Sequence, residues 1–187
     1  MPSSDLDLFI FAAEASGDLH GEHILRLLLK DNPSWRIGGV GGPKMRPLMT
    51  ECLLPMETFQ VMGFVDVFKK VFHLIRRFYQ VRRAILHSQP KLVFLIDYAA
   101  LNMHMAISLR KKRFSGKICH YICPSVWAWK KQRIGQMAST LDLLLTIFPF
   151  EPPLFAHTSL KVYFMGHPLL TRIEQHVYQP LHFADSE

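Results

Sequence analysis

At 187 residues the chain is sized for one ordinary domain, and a 49% apolar content allows a sizeable buried core, which excludes a disordered polymer. Lys and Arg number 22 against 15 Asp and Glu, so the formal charge of +7 favours an anionic partner: a sugar phosphate, nucleic acid or an acidic membrane surface. No apolar run reaches the roughly 18 residues of a spanning helix, and the start, MPSSDLDLFIFAAEASGD, lacks the basic region of a secretory leader. Any membrane contact is therefore expected to be peripheral.

Residues 6–13 (LDLFIFAA) form a continuous apolar run, read as a buried strand that enters a loop at Glu14-Ala15-Ser16-Gly17. Leu19, Ile24, Leu25, Leu27, Leu28 and Leu29 mark a helix over 19–30, stopped by Asn32-Pro33. A strand near 35–40 runs into Gly41-Gly42-Pro43, followed by a short helix near 43–49 and a strand near 52–55. The longest helical segment is 63–88, closed by Pro90. On a helical wheel Phe64, Phe68, Val71, Phe72, Ile75, Phe78 and Tyr79 share one face, and Lys69, Lys70, Arg76 and Arg77 the other. A strand at 91–96 (KLVFLI) ends at Asp97, a helix spans 100–113, and a strand at 117–123 (KICHYIC) ends at Pro124-Ser125. A helix follows VWAW, 141–148 (LDLLLTIF) is another strand, and a short helix near 151–157 and a strand at 160–165 precede Gly166-His167-Pro168. This alternation predicts an α/β fold, a doubly wound, mostly parallel sheet with helices on both faces. Residues 173–187 have weak pattern and are expected to form a loosely held tail. Cys52, Cys119 and Cys123 lack zinc-ribbon spacing and are expected as small buried side chains in a reduced compartment.

Ligands of an open parallel sheet sit beyond the carboxyl ends of its strands. The junctions to inspect are therefore Glu14 to Asp18, Gly41 to Lys44, Asp97 to Asn102, Pro124 to Trp129, Pro149 to Glu151 and Gly166 to Pro168. In EASGDLHG (14–21) the glycine and the helix start suit an anion, or else Ser16 or Asp18 merely caps the helix. GGVGGP (38–43) is glycine-dense but lacks dinucleotide spacing. Asp97 ends a buried strand, where a carboxylate either accepts a proton from a sugar hydroxyl or caps the next helix. PSVWAWKKQR (124–133) offers aromatic faces and cations for a phosphorylated or acylated sugar, or a core tryptophan beside a solvated face. The ten histidines are scattered along the chain, and no metal is expected.

Taken in order, EASGD-x-HG (14–21), GVGGPKM (39–45), VMGF (61–64), LID (95–97) with Asn102, HYICPSVWAWKKQRI (120–134), IFPFE (147–151) and MGHPL (165–169) resemble the lipid-A-disaccharide synthase family over about residues 8–170. The resemblance implies a GT-B glycosyltransferase without a cofactor, peripheral on the cytoplasmic face of the inner membrane. Its substrates are UDP-2,3-diacylglucosamine and 2,3-diacylglucosamine 1-phosphate, joined by an inverting β-1,6 linkage with release of UDP. It implies Asp97 as general base on the acceptor 6-hydroxyl. It also implies substrate contacts at Glu14, Ser16, Gly17, Asp18, Met62, Gly63, Asn102, Ser125, Trp127 and Arg133.

Two departures stand out. Where the family reads D-x-P-D-F-N this chain reads DYAALN, with Ala99 for the proline and Ala100 for the second acid. GT-B enzymes also have two Rossmann-like halves, the second carrying most nucleotide-sugar contacts. Residues 1–172 are expected to be the acceptor-side half, inactive alone, with a second domain or chain completing the site. Other UDP-sugar enzymes of this architecture, such as a UDP-N-acetylglucosamine epimerase or the peptidoglycan glucosaminyl transferase, do not share CPSVWAW. A basic binding module built on Lys69, Lys70, Arg76, Arg77, Arg110, Lys111, Lys112 and Arg113 leaves the rim motifs unexplained, and no nucleic-acid partner is expected.

Overall fold

The computed structural model describes residues 6–59, 67–124 and 132–168. Seven strands, β1 (Leu8–Ala12), β2 (Ile37–Gly41), β3 (Glu51–Pro55), β4 (Leu92–Ile96), β5 (Lys117–Tyr121), β6 (Leu143–Thr146) and β7 (Lys161–Phe164), form one sheet in the order β3-β2-β1-β4-β5-β6-β7. Every neighbouring pair is parallel. The α-helices among the described residues are α1 (Ala15–Asp31), α2 (Val67–Ser88), α3 (Ala99–Lys111) and α4 (Gln132–Thr140). The doubly wound α/β class expected from the alternation is the one the chain forms.

The central strand LFIFA is buried at every position, as a parallel strand covered on both faces must be. On one face Leu25 of α1 and Met45 pack against Leu8, Ile10, Phe94 and Cys119. On the other, Val81 and Ile85 of α2, Met103, Ala106 and Leu109 of α3, and Ile134 and Met137 of α4 cover Phe9, Phe11, Val93 and Leu95. Gly39 takes φ +147°, and a Cβ there would lie 1.9 Å from the Ile10 carbonyl oxygen. The density of glycine in β2 therefore serves close strand packing at least at this position.

Several local expectations are corrected. α1 begins at Ala15, so EASGD is not a loop but the cap and first turn of the helix. Ala15, Ser16 and Gly17 are too small to give an apolar period, which hid that turn from the sequence. The helices expected near 43–49 and 151–157 shrink to the 3-10 turns Arg46–Leu48 and Pro152–Phe155, each with proline at its start. Cys119 and Cys123 are buried, but Cys52 is exposed because β3 lies at the edge of the sheet. The amphipathic face of α2 is divided: Leu74 and Phe78 lean on the core, while Val71, Phe72, Ile75 and Tyr79 stay exposed. Arg110 is not a free surface cation. Its guanidinium donates to the carbonyls of Thr140, Phe114 and Gly116 and pairs with Asp142, joining the ends of α3 and α4 to the starts of β5 and β6.

His120 lies in β5, fully buried, with neither ring nitrogen hydrogen-bonded, and burial pushes its pKa down to about 4. The unfolded chain takes up a proton near pH 6.5 that the folded chain refuses until about pH 4. Stability therefore falls as the pH drops through that window, by about 3 kcal/mol at its lower end. Asp7 is held below the usual carboxylate range by the Arg36 N–H and Lys91. Asp142, against the effect of its burial, is likewise held down by the Ile118 N–H, Lys117 and Arg110. Their stabilisation is present above 3.8 and is lost only as the pH falls through the lowered values. Denaturant titrations of wild type and His120→Leu across this range separate the two: the variant loses the decline between pH 6.5 and about 4 and keeps the acid limb. A variant with an unchanged profile would contradict the burial of a neutral imidazole.

Candidate functional site

The strand order reverses between β1 and β4, which pair in parallel with Ala12 opposite Ile96. The residues that follow these two strands emerge side by side, and this switch point opens the crevice typical of such sheets. Glu14, extended at φ −131° and ψ 157°, is the cap of α1, and Ser16 stands in the first turn. The Ser16 hydroxyl donates to Oδ2 of Asp97 at 3.1 Å, across 81 residues of sequence. Burial, and then the charge of Asp97, raise the pKa of Glu14. Two carboxylates and a hydroxyl thus meet where two strands end.

The chain turns sharply there. Asp97 has φ +51° and Tyr98 φ +42°, two consecutive non-glycine residues in the left-handed region. Each costs on the order of 1–3 kcal/mol unless the surroundings hold it. Asn102 is the main holder: fully buried, it donates its side-chain amide to the Ile96 carbonyl at 3.1 Å and to the Asp97 carbonyl. The Asp97 N–H continues the sheet by donating to Tyr121 of β5 at 3.0 Å.

A cavity of about 490 Å³ opens on this turn, lined by Glu14, Asp97, Tyr98, Ala99, Ala100 and Leu101 with Leu74 and His104. Ala99 and Ala100, the two departures from the family motif, leave space at its wall. Tyr98, Leu74 and His104 were not singled out from the sequence. His104 could have been: Ala100, Leu101 and His104 recur at helical spacing along one side of α3.

The remaining site expectations divide. Asp18 is buried and does not line this cavity. Its carboxylate accepts the N–H groups of Gly42, Lys44 and Met45 at 2.8, 3.0 and 3.1 Å, so it holds the turn after β2. Gly42 is required there, since a Cβ would come 2.4 Å from that carboxylate. Gly17 is buried against Ala12 and seats α1 on β1. Asn102 positions the turn and does not line the cavity. Arg133 stands in the first turn of α4, and among the described residues no hydrogen bond or ion pair joins it to Asp97. Met62, Gly63, Ser125 and Trp127 lie outside the described residues. Farther along the rim, buried Glu151 accepts the Phe148 N–H at 3.1 Å and meets Cys123. Burial raises both of those groups, so Cys123 is no thiolate nucleophile. His167 packs on Phe148.

A doubly wound parallel domain is Rossmann-like, and the switch point where its two acids meet is where such sheets bind ligands. Its sequence narrows this further. The family model described as lipid-A-disaccharide synthetase matches residues 8–181, and the chain belongs to that family. It is 42% identical over 172 residues to the lipid-A-disaccharide synthase of Chlamydia abortus, which covers 92% of this chain and 27% of that protein. It is 37% identical over 166 residues to that of Geobacter sulfurreducens, covering 89% of this chain and 43% of the relative. The match to the Nitrosococcus oceani enzyme is 35% over 160 residues, 86% of this chain and 41% of that protein. The chain thus spans less than half the length of these relatives.

The coupling of the two acids is measurable. In carboxyl-resolved NMR titrations Glu14 titrates above its ordinary value, and Asp97→Asn moves it part of the way back, leaving the larger contribution of burial. Because an elevated carboxyl is harder to ionise in the folded state, stability declines as the pH rises from 4.5 through the raised value, less steeply in the variant. If Glu14 does not respond to Asp97→Asn, the two groups do not share a site.

Proposed function

We propose that this chain is the acceptor-side half of a lipid-A-disaccharide synthase. In this reading it binds 2,3-diacylglucosamine 1-phosphate, and a second α/β half supplies the site for UDP-2,3-diacylglucosamine. The observation that carries it is the presentation of Asp97 at the switch point, against Ser16 and facing a cavity. The acceptor 6-hydroxyl oxygen attacks the donor's anomeric carbon. As the new C–O bond forms, the bond to UDP breaks, UDP leaves with the electron pair, and Asp97 takes the hydroxyl proton. Ser16 orients that carboxylate, and Asn102 fixes the backbone from which it projects. The second acid, Glu14, adds negative charge beside Asp97. Residues 1–172 act as this half. The segments 61–64 and 124–133 contribute Met62, Gly63, Ser125, Trp127 and Arg133 to the substrates.

The same reading makes the protein peripheral on the cytoplasmic face of the inner membrane. No helix among the described residues is long and apolar enough to cross a bilayer. The exposed Val71, Phe72, Ile75 and Tyr79 of α2, beside exposed Arg76, suit the surface of an anionic leaflet.

Two measurements test the proposal. Titration of this chain with 2,3-diacylglucosamine 1-phosphate gives saturable binding that Asp97→Asn leaves within about threefold, whereas turnover with both sugars is absent. In a complete two-half enzyme carrying this chain's sequence, Asp97→Asn lowers kcat by about 10²–10⁴-fold with KM little changed, the loss expected for a positioned general base. Full turnover by the isolated chain would overturn the half-enzyme reading, and a fully active Asp97→Asn would remove Asp97 as the base.

A further inference from the structure

A second cavity, about 430 Å³, lies in the groove between α2 and α3. It shares Leu74, Leu101 and His104 with the cavity at Asp97, so the two adjoin as one trough along those residues. The lining changes from one to the other: Glu14 and Asp97 give way to Ile75, Phe78, Tyr79 and Ile107. The far end is lined by Arg82, Ser108 and Lys111. The Arg82 guanidinium lies over the Tyr79 ring, 4.6 Å from its centre, and donates to the Ser108 hydroxyl at 2.9 Å, bridging α2 to α3. Between Leu101 and Ser108 the trough follows α3 for seven residues, roughly 10 Å at about 1.5 Å per residue.

We infer that this groove seats one acyl chain of the sugar lipid whose head group lies at Asp97, with the Arg82–Ser108 bridge as its end stop. The inference rests on the acceptor reading given above. Three features select an alkyl chain that belongs to the substrate. The trough starts at the reacting groups, so its occupant is tethered to the sugar. The stretch lined by Leu74, Ile75, Phe78, Leu101 and Ile107 offers no hydrogen-bonding side chain, and Arg82 and Ser108 engage each other; a peptide backbone lying there would lose its partners, whereas a methylene chain has none to lose. The trough takes in Ile75 and Tyr79 from the exposed stripe of α2 but leaves out Val71 and Phe72. Phe78 and Leu74 are half-buried in the same wall and already packed on the core, so the groove is preformed.

Each methylene buried in such a trough is worth about fourfold in affinity. Binding of 2,3-diacylglucosamine 1-phosphates of graded chain length to this chain is expected to tighten by about that factor per methylene and then level off. Ile107 lines this groove but not the cavity at Asp97, and it belongs to neither core cluster, so Ile107→Trp obstructs the groove without touching the head-group site. It weakens the long-chain ligand by at least about tenfold and leaves glucosamine 1-phosphate unaffected. Arg82→Ala removes the end stop, so the plateau moves to longer chains. Affinity that ignores chain length, or an Ile107→Trp variant that weakens both ligands alike, overturns the inference while leaving the acceptor reading intact. No binding of either ligand overturns the acceptor reading and this inference with it. If Ile107→Trp weakens binding to sugar-free anionic vesicles as much as to the sugar lipid, the groove is a bilayer contact and the inference fails.

Discussion

The turn from β4 into α3 is the constraint on which the rim of this molecule depends. Two side-chain-bearing residues in succession occupy left-handed backbone there, and the penalty is met by one buried amide spanning the turn. Asn102 donates to the last carbonyl of the strand and the first beyond it, so Asp97 projects into the crevice while its own N–H stays in the sheet. The Oδ1 of Asn102 is buried without a hydrogen-bond partner, so the two donor bonds carry the side chain's hold on the turn. Donors directed at backbone carbonyls also keep the amide from competing for the Asp97 side chain.

From that turn the contacts extend along the whole rim. Asp18 ties the start of α1 to the turn after β2, and Ser16 ties it to the end of β4. The Asp97 N–H reaches β5, Cys123 meets Glu151 between the ends of β5 and β6, and Phe148 meets His167 between β6 and β7. Each junction is braced by its neighbour, so the carboxyl edge is a connected surface. The opposite edge is fixed separately, by Asp7 and by the Arg110–Asp142 cluster. A site supported in this way gains precision from rigid strand ends.

The fold was legible because strands buried on both faces read as unbroken apolar runs, and the rim followed from topology alone. Asp97 stood out as a charge closing such a run. What could not be read was the partner of each rim group. Asp18 looked like a cap or an anion ligand, yet it serves the backbone of a loop 24 residues away, a tertiary bond that local spacing does not encode. The start of α1 was missed because Ala15, Ser16 and Gly17 carry no hydrophobic period. Arg110 was counted with its surface neighbours because charge runs do not reveal which member turns inward. The α2 stripe was wider than the core needs: positions 74, 78, 81 and 85 pack inward, and the adjoining 71, 72, 75 and 79 remain outside.

The missing acid at position 100 takes on a different meaning in three dimensions. From the sequence, Ala100 left Asp97 as the only carboxylate of its segment. In the fold the second carboxylate comes from the neighbouring strand, because β1 and β4 end together and Glu14 feels the charge of Asp97. Meanwhile Ala99 and Ala100 line the cavity that leads, by way of Leu101 and His104, into the apolar trough. Alanine at these two positions leaves the carboxylates of this lining to Glu14 and Asp97, at the ends of β1 and β4.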